Sequence, residues 1–391
     1  MSRMSDNWKL KRLHEIAVLN PPKPRGIDRR LPVTFIGMAG IANNGKIIGT
    51  SIREFQDIEK GYRAFQEGDI LLAKITPCFE NGKCALTRDL KNGLGIGSTE
   101  FHILRVKNGL EPRYLLYHIQ SRAFRIRGEA RMTGSSGQKR IPASFINSYQ
   151  IPIPPLSRQQ TIIDIISTWD QALELMQSVI ERKRLLAAKV VNQIIAGRNS
   201  NWGSAPLGNL AAIAMGHAPS SKHYNRKQLG LPLIQGKGDF DGSHAKASIW
   251  TNHITQSCAA GDILMTVRAP VGAIARSSVT ACIGRGVCAI TPQAIDGEFL
   301  FHMLRHMRPR WARYIQGSTF ASISGKDVKR MVIYFPKSQA EQVAVAKALG
   351  AIDEEISLLE QQKIHLDKQR EALLGKLLYP RLIPHGPGEK S

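Results

Sequence analysis

The chain has 391 residues, 42% hydrophobic and 22% charged, which suits a globular protein with two or three cores. The N-terminus has no apolar leader, and no uncharged run is long enough for a bilayer, so secretion and membrane insertion are not expected. The net charge of +23 is uneven: residues 1–156 carry +12 and 199–337 carry +10, against +2 for 157–198 and −1 for 338–391. Two basic blocks between near-neutral ones point to a polyanionic partner, most often nucleic acid.

The first block opens on "NWKLKRLHEIA", Asn7–Ala17. Short β-type runs follow at Val33–Ile36 and Ile70–Lys74, then a helix near Pro112–Arg125, a Gly/Ser-rich basic loop from Thr133, and a strand closing in "IPIPP". A long helix starts at "PLSRQQ", where Ser157 and Gln160 have the spacing of a capping box. It carries a stripe at Ile162, Ile166, Trp169, Leu173, Met176, Ile180, Lys183, Ala187, Val190 and Ile194.

The chain then begins again. "NWGSAPLGNLA" (Asn201–Ala211) echoes the opening, "AGDILMTVR" (Ala260–Arg268) echoes "EGDILLAKI" (Glu67–Ile75), and "GEFLFHMLRHMRPR" (Gly297–Arg310) echoes "PRYLLYHIQSRAFR" (Pro112–Arg125). Strands are expected at Ile263–Val267 and Val287–Ile290, and a helix near Glu298–Arg313. "QGSTFASISGKDVKRMVIYFP" then matches the earlier Gly/Ser loop and prolyl strand. A second long helix opens at Ser338 and Glu341, with a stripe at Val345, Leu349, Ile352, Ile356, Leu359, Lys363, Leu366, Arg370, Leu373 and Leu377. The two stripes register at an offset of 183. Alternating steps of four and three keep one apolar face toward a partner helix, so the two helices are expected to pack on each other as a coiled coil. The predicted boundaries are 1–156 and 199–337 for two similar α+β domains, 157–198 and 338–380 for the helices, and 381–391 for a flexible tail. Ile163, Ile165, Leu175 and Val179 widen the apolar surface of the first helix beyond a two-stranded seam.

"LNPPKP" (Leu19–Pro24) resembles the Asn-Pro-Pro-aromatic signature of adenine methyltransferases, but Lys23 stands where an aromatic must stack the target base, and no FxGxG stretch accompanies it. "GKGDFDG" (Gly236–Gly242) lacks the spacing of a nucleotide-binding loop and reads as a turn between strands. Glu67, Asp69 and Lys74 have a nuclease-like flavour, but the second copy has Ala260, Asp262 and Val267 there. The retained Gly-Asp then suggests a turn, with Asp bonding to backbone. His302 and His306 lack the Glu of a zinc-protease helix and read as structural or DNA-facing. Cys78, Cys84, Cys258, Cys282 and Cys288 form no CxxC pair and read as reduced thiols in a cytoplasmic protein. No metal site and no cofactor are expected.

The duplicated "NW…L…A", the twin "GDIL" strands, the twin Gly/Ser loops and the two long helices together resemble the type I restriction–modification specificity subunit, over the whole chain. That resemblance implies a non-catalytic protein whose two target-recognition domains, separated by the two long helices as an antiparallel coiled coil, read a bipartite, asymmetric double-stranded DNA site. It also implies docking of two modification (methyltransferase) subunits and, through them, restriction (translocase and nuclease) subunits. The competing reading is a self-sufficient DNA adenine methyltransferase built on Asn20-Pro21-Pro22.

Reading a duplex takes phosphate clamps and groups that reach base edges. Four loop sets qualify in each copy. The first is Lys23, Arg25, Arg29 and Arg30, matched by Ser220, Ser221, Lys222, Tyr224, Arg226 and Lys227. The second is Lys74, Thr76, Asn81 and Lys83, matched by Thr266, Arg268 and Arg276. The third is Ser98 and Thr99, matched by Arg285. The fourth is Ser135, Ser136, Gln138, Lys139 and Arg140, matched by Ser318, Thr319, Ser322 and Lys326.

Overall fold

The computed structural model describes residues 8–58, 61–135, 137–198, 200–307 and 322–379. Ser136, Ser318, Thr319 and the expected tail lie outside the described residues. The chain divides into two compact units, Met1–Glu174 with His365–Ser391, and Leu175–Ile364.

In the first unit a ribbon pairs Lys9–Arg12 with Gln150–Ile153. One antiparallel sheet runs in the order Ala17–Leu19, Phe101–Val106, Ile70–Ala73, Cys84–Leu86. A second runs Ser51–Glu54, Pro32–Ile36, Leu94–Gly97, Arg63–Gln66, and its middle pair is parallel. The expected helix over Pro112–Arg125 is two helices, Pro112–Gln120 and Arg122–Glu129. Ser121 breaks it: its backbone is extended, and its hydroxyl donates to the His118 carbonyl and accepts the Phe124 N–H. That bond supplies the N-cap of the second helix.

The second unit repeats the scheme. Trp202–Pro206 pairs with Val332–Pro336. Ala211–Met215, Val287–Pro292, Ile263–Thr266 and Ile274–Arg276 take the same sheet order, extended by His244–Ala245 and Phe240–Asp241. Trp250–Thr251, Leu231–Ile234, Ala281–Ile283 and Ser257–Cys258 take the order of the other sheet, again with a parallel middle pair. The "GDFDG" stretch forms the added hairpin, turning at Gly242 with φ +60°. The two "GDIL" strands are buried along their whole length, which is why ILLA and ILMT show no alternation. In both copies the Asp makes the expected turn: Asp69 accepts the Gln66 N–H and Asp262 the Ala259 N–H, each at 2.7 Å.

The long helices are Leu156–Ala196 and Gln339–Leu378, of 41 and 40 residues. Each unit contains part of both. In the first, Ile162, Ile163 and Ile166 share a core with Leu374 and Leu378. In the second, Val191 and Ile195 share a core with Ala346 and Leu349. Within the second unit Lys183 pairs with Glu355 at 2.7 Å and Arg184 with Glu360, while the later Val191 and Ile195 meet the earlier Ala346 and Leu349. The helices therefore run antiparallel there. Arg370 reaches Asp170 at 2.8 Å in the first unit.

Of the predicted seam, Ile162, Ile166, Ile180, Leu349 and Ile356 are buried, and Trp169, Leu173, Met176, Ile352, Leu359, Leu366 and Leu373 are half-buried. Near both C-termini the fully buried positions move one residue on, to Val191 and Ile195 and to Leu374 and Leu378. A straight helix drifts by about 20° per seven residues, and the drift turns these ends into the unit cores. The first helix also starts one residue before the expected Ser157 cap. The Pro155 carbonyl accepts the N–H groups of Arg158 and Gln159 at 2.9 and 3.0 Å. Buried Gln159 and Gln342 then make the same clamp in the two units. Each side-chain amide donates to a strand-end proline carbonyl (Pro154 or Pro336) and accepts the N–H before a short helix (Glu111 or Asp296). Their common offset of 183 was the signal in the sequence for this pair.

Candidate nucleic-acid interface

Strand pairing equates the two "GDIL" strands and the turns beside them. Ile36 lies opposite Gly97, and Ile234 opposite Ile283. The turn after each of these strands is therefore Ser98-Thr99-Glu100 in the first unit and Gly284-Arg285-Gly286 in the second. Both turns are held the same way, since Glu100 O accepts the Lys74 N–H and Gly286 O accepts the Val267 N–H, each at 2.9 Å. Thr99 and Arg285 sit exposed at the tips.

Around the first turn, charge is satisfied within the protein. Arg140 grips Glu100 with its Nε and Nη2, the latter at 2.9 Å, and Lys74 Nζ lies 4.0 Å away. The Arg140 hydrogen bonds hold the Glu100 carboxyl below its ordinary range, with Lys74 adding to the effect. Partial burial lowers the Lys74 pKa against the opposing pull of Glu100. Thr76 donates to Glu80 at 2.7 Å, Lys83 to the Met38 carbonyl at 3.2 Å, and the Ser98 hydroxyl accepts the Glu100 N–H. Arg25, Arg29, Arg30, Asn81, Thr99, Ser135, Gln138 and Lys139 are all exposed. Lys23 is half-buried, with its ammonium 4.9 Å from the centre of the Phe55 ring.

The second unit has an open cationic concavity instead. A cavity of about 620 Å³ is bounded by His217, Ser220, Tyr224, Gln235, Lys237, Arg268, Arg285 and neighbouring residues. Among the described residues no carboxylate lines it. Arg268 and Arg285 are exposed, as are Lys222, Arg226, Lys227 and Lys326. The main chain of Ser322 bridges that of Arg268, which brings the fourth loop to the second. The Tyr224 hydroxyl donates to the Pro219 carbonyl at 3.2 Å. Gln235, Lys237 and His217 were missed from sequence because their loops carry no cluster of charge; only the glycines around Lys237 hinted at an open turn.

Two predicted residues serve the interior. Thr266 is 1% exposed; its hydroxyl donates to the Pro270 carbonyl and accepts the Ala273 N–H, so it cannot also face a ligand. Arg276 is bound to Glu298 at 2.6 Å and lies over the Phe301 ring, fastening a strand to the Gly297–His306 helix. His302 and His306 are structural: they reach Asp353 of the second long helix at 2.6 and 3.3 Å.

The catalytic alternatives lose their groups to the framework. The Asn20 side-chain oxygen accepts the Ile103 N–H, and its nitrogen lies 3.2 Å from His102 Nδ1, so the amide needed to hold a target adenine is already engaged. Asp69 is 1% exposed and forked by Arg105 at 2.7 and 2.8 Å. Glu67 accepts the N–H groups of Asp89 and Leu90. Among the described residues no helix is long and apolar enough to cross a membrane.

Known proteins agree with this architecture. The family profile described as "Type I restriction modification DNA specificity domain" matches twice, at residues 5–182 and 199–368. The MjaX type I restriction enzyme specificity subunit named in Methanocaldococcus jannaschii is 29% identical over 334 residues, spanning 80% of this chain and 77% of that protein. The EcoAI type I restriction enzyme specificity subunit of Escherichia coli is 38% identical over 214 residues, 51% of this chain and 36% of that protein. A chain from a structure concerned with complex assembly and conformational transition of the type I R-M system superimposes with a TM-score of 0.62 at 24% identity, covering 96% of this chain and 99% of that one. Two profile matches, one to each half of a duplicated fold, place this chain in the type I restriction–modification specificity subunit family.

Proposed function

We propose that this chain reads a bipartite double-stranded DNA site, one unit per half-site, for a cytoplasmic type I restriction–modification complex, and performs no chemistry itself. The carrying observation is the duplicated turn: the same fold position is exposed in both units, beside basic loops, with different residues at its tip. Equal scaffolds with unequal tips suit an asymmetric site. The exposed cations would contact phosphates, and the tip residues base edges. The long helices run through both units, each about 60 Å at ~1.5 Å per residue, and their length would set the gap between half-sites. Leu175 and Leu358 stand at the same register, 183 apart, and are 68% and 52% exposed. Two such equivalent apolar points suit two copies of a modification subunit, which would in turn recruit restriction subunits.

The test is to express the chain with its modification partner and map methylated adenines. A two-part motif with fixed spacing is the expected result, and removing seven residues from each long helix should alter the spacing while keeping both half-motifs. Unchanged spacing would defeat the ruler. Transfer of label from S-adenosylmethionine to DNA by the isolated chain would favour the self-sufficient enzyme.

A further inference from the structure

We infer that Arg285 is a specificity-determining residue that commits the half-site read by the second unit to a guanine. The inference rests on the DNA reading above. Its ground is the way the arginine is mounted. Gly284 and Gly286 flank it, and four main-chain bonds of 2.8–3.1 Å fix the turn: Gly284 N to Ile234 O, Val287 N to Gly284 O, Val267 N to Gly286 O, and Gly216 N to Val287 O. A Cβ on Gly286 would collide with the Gln235 carbonyl oxygen, so the main chain here is packed against its neighbour with no slack. The residue is exposed and lines the cationic cavity together with Arg268, Lys237 and Tyr224.

A flexible surface cation suffices for a phosphate. An arginine whose main chain is fixed loses less freedom on binding, and its planar fork presents paired donors that a lysine lacks. In the major groove the group matching that fork is guanine, whose O6 and N7 are adjacent acceptors. Adenine offers a donor beside N7, so the fork meets one acceptor and one repulsive N–H group. Among the described residues that line the cavity there is no carboxylate to engage the guanidinium. At the equivalent tip the first unit has Thr99, with Glu100 behind it held by Arg140, so no fork is offered there.

The experiment uses the chain assembled with its modification partner and a duplex library randomised over both half-sites. Arg285→Lys keeps the charge and loses the fork; Arg285→Ala loses both. If the inference is right, one half-site contains a guanine whose selection falls about tenfold or more in both variants, while every other position and the opposite half-site are unchanged. Arg285→Lys should retain most of its overall affinity. The inference fails if both variants keep the wild-type motif, or if Arg285→Ala weakens all sequences equally with a shallower salt dependence that Arg285→Lys restores. That outcome would make Arg285 a phosphate contact and leave the two-half-site reading intact. A wild-type assembly that selects no sequence would instead sink the DNA reading itself. Thermal unfolding of each variant, expected at the wild-type temperature for an exposed side chain, checks the fold.

Discussion

The two units share a strand order and differ in how they handle buried and cationic groups. At the junction of short and long helices the first unit places Tyr117 against Asp170, and the second places His302 against Asp353, 183 residues later in the long-helix repeat. Asp170 is half-buried and takes Arg370 from the other long helix. Asp353 is 7% exposed and is ringed by His302, Arg305 and His306 from one short helix. At the loops the contrast reverses: the first unit pairs Lys74 and Arg140 with Glu100, whereas the second leaves Arg268 and Arg285 open. Duplicated scaffolds keep the backbone contacts that make the fold and vary the side chains that face a partner or fill a gap.

The largest expected effect breaks the first contrast. Asp353→Ala leaves a cluster of basic groups buried around a missing carboxylate and should destabilise the second unit by about 3–5 kcal/mol. Asp170→Ala, at a more hydrated site, should cost the first unit roughly 1 kcal/mol. Denaturant melts of the full chain, with hydrogen exchange to assign each unit, would compare them; equal losses would erase the distinction.

A smaller effect separates the units by pH. His118 is fully buried, its Nδ1 3.0 Å from the Tyr379 hydroxyl, and desolvation lowers its pKa from 6.5 to about 3. The folded unit accepts the neutral ring, while the unfolded chain takes up a proton below 6.5. The histidine's contribution is therefore complete above pH 6.5 and is lost progressively as pH falls toward 3. The repeat aligns Met303 with His118, and His118→Met should flatten the first unit's stability between pH 6.5 and 4, measured by thermal unfolding across that range. An unchanged slope would assign the acid sensitivity to another group.

The smallest effect concerns the loops. Glu100→Gln releases Lys74 and Arg140 and should steepen the salt dependence of DNA binding by about one phosphate equivalent each, roughly 0.9 in the logarithmic slope. Alanine at Arg226 or Lys227 should make it shallower by about the same amount. A Glu100→Gln slope equal to wild type would mean the first unit's charges are not held back from DNA.

The duplication, the two long helices and most of the seam were legible in the sequence, because helix periodicity and repeat offset are local, one-dimensional signals; periodicity is blind to helix direction, and the antiparallel run followed only from the family resemblance. The sequence also located the turn that carries Thr99 and Arg285. It did not reveal that Thr266 and Arg276 serve the interior, or that Gln159 and Gln342 clamp both helix starts, since hydroxyls, guanidinium groups and amides have the same composition whether they face water or a buried carbonyl. Only tertiary structure decided which cations are paired, because the partners Glu100 and Arg140 meet across 40 residues of chain. Charge is written in the sequence, but its availability depends on what the fold brings within about 3 Å.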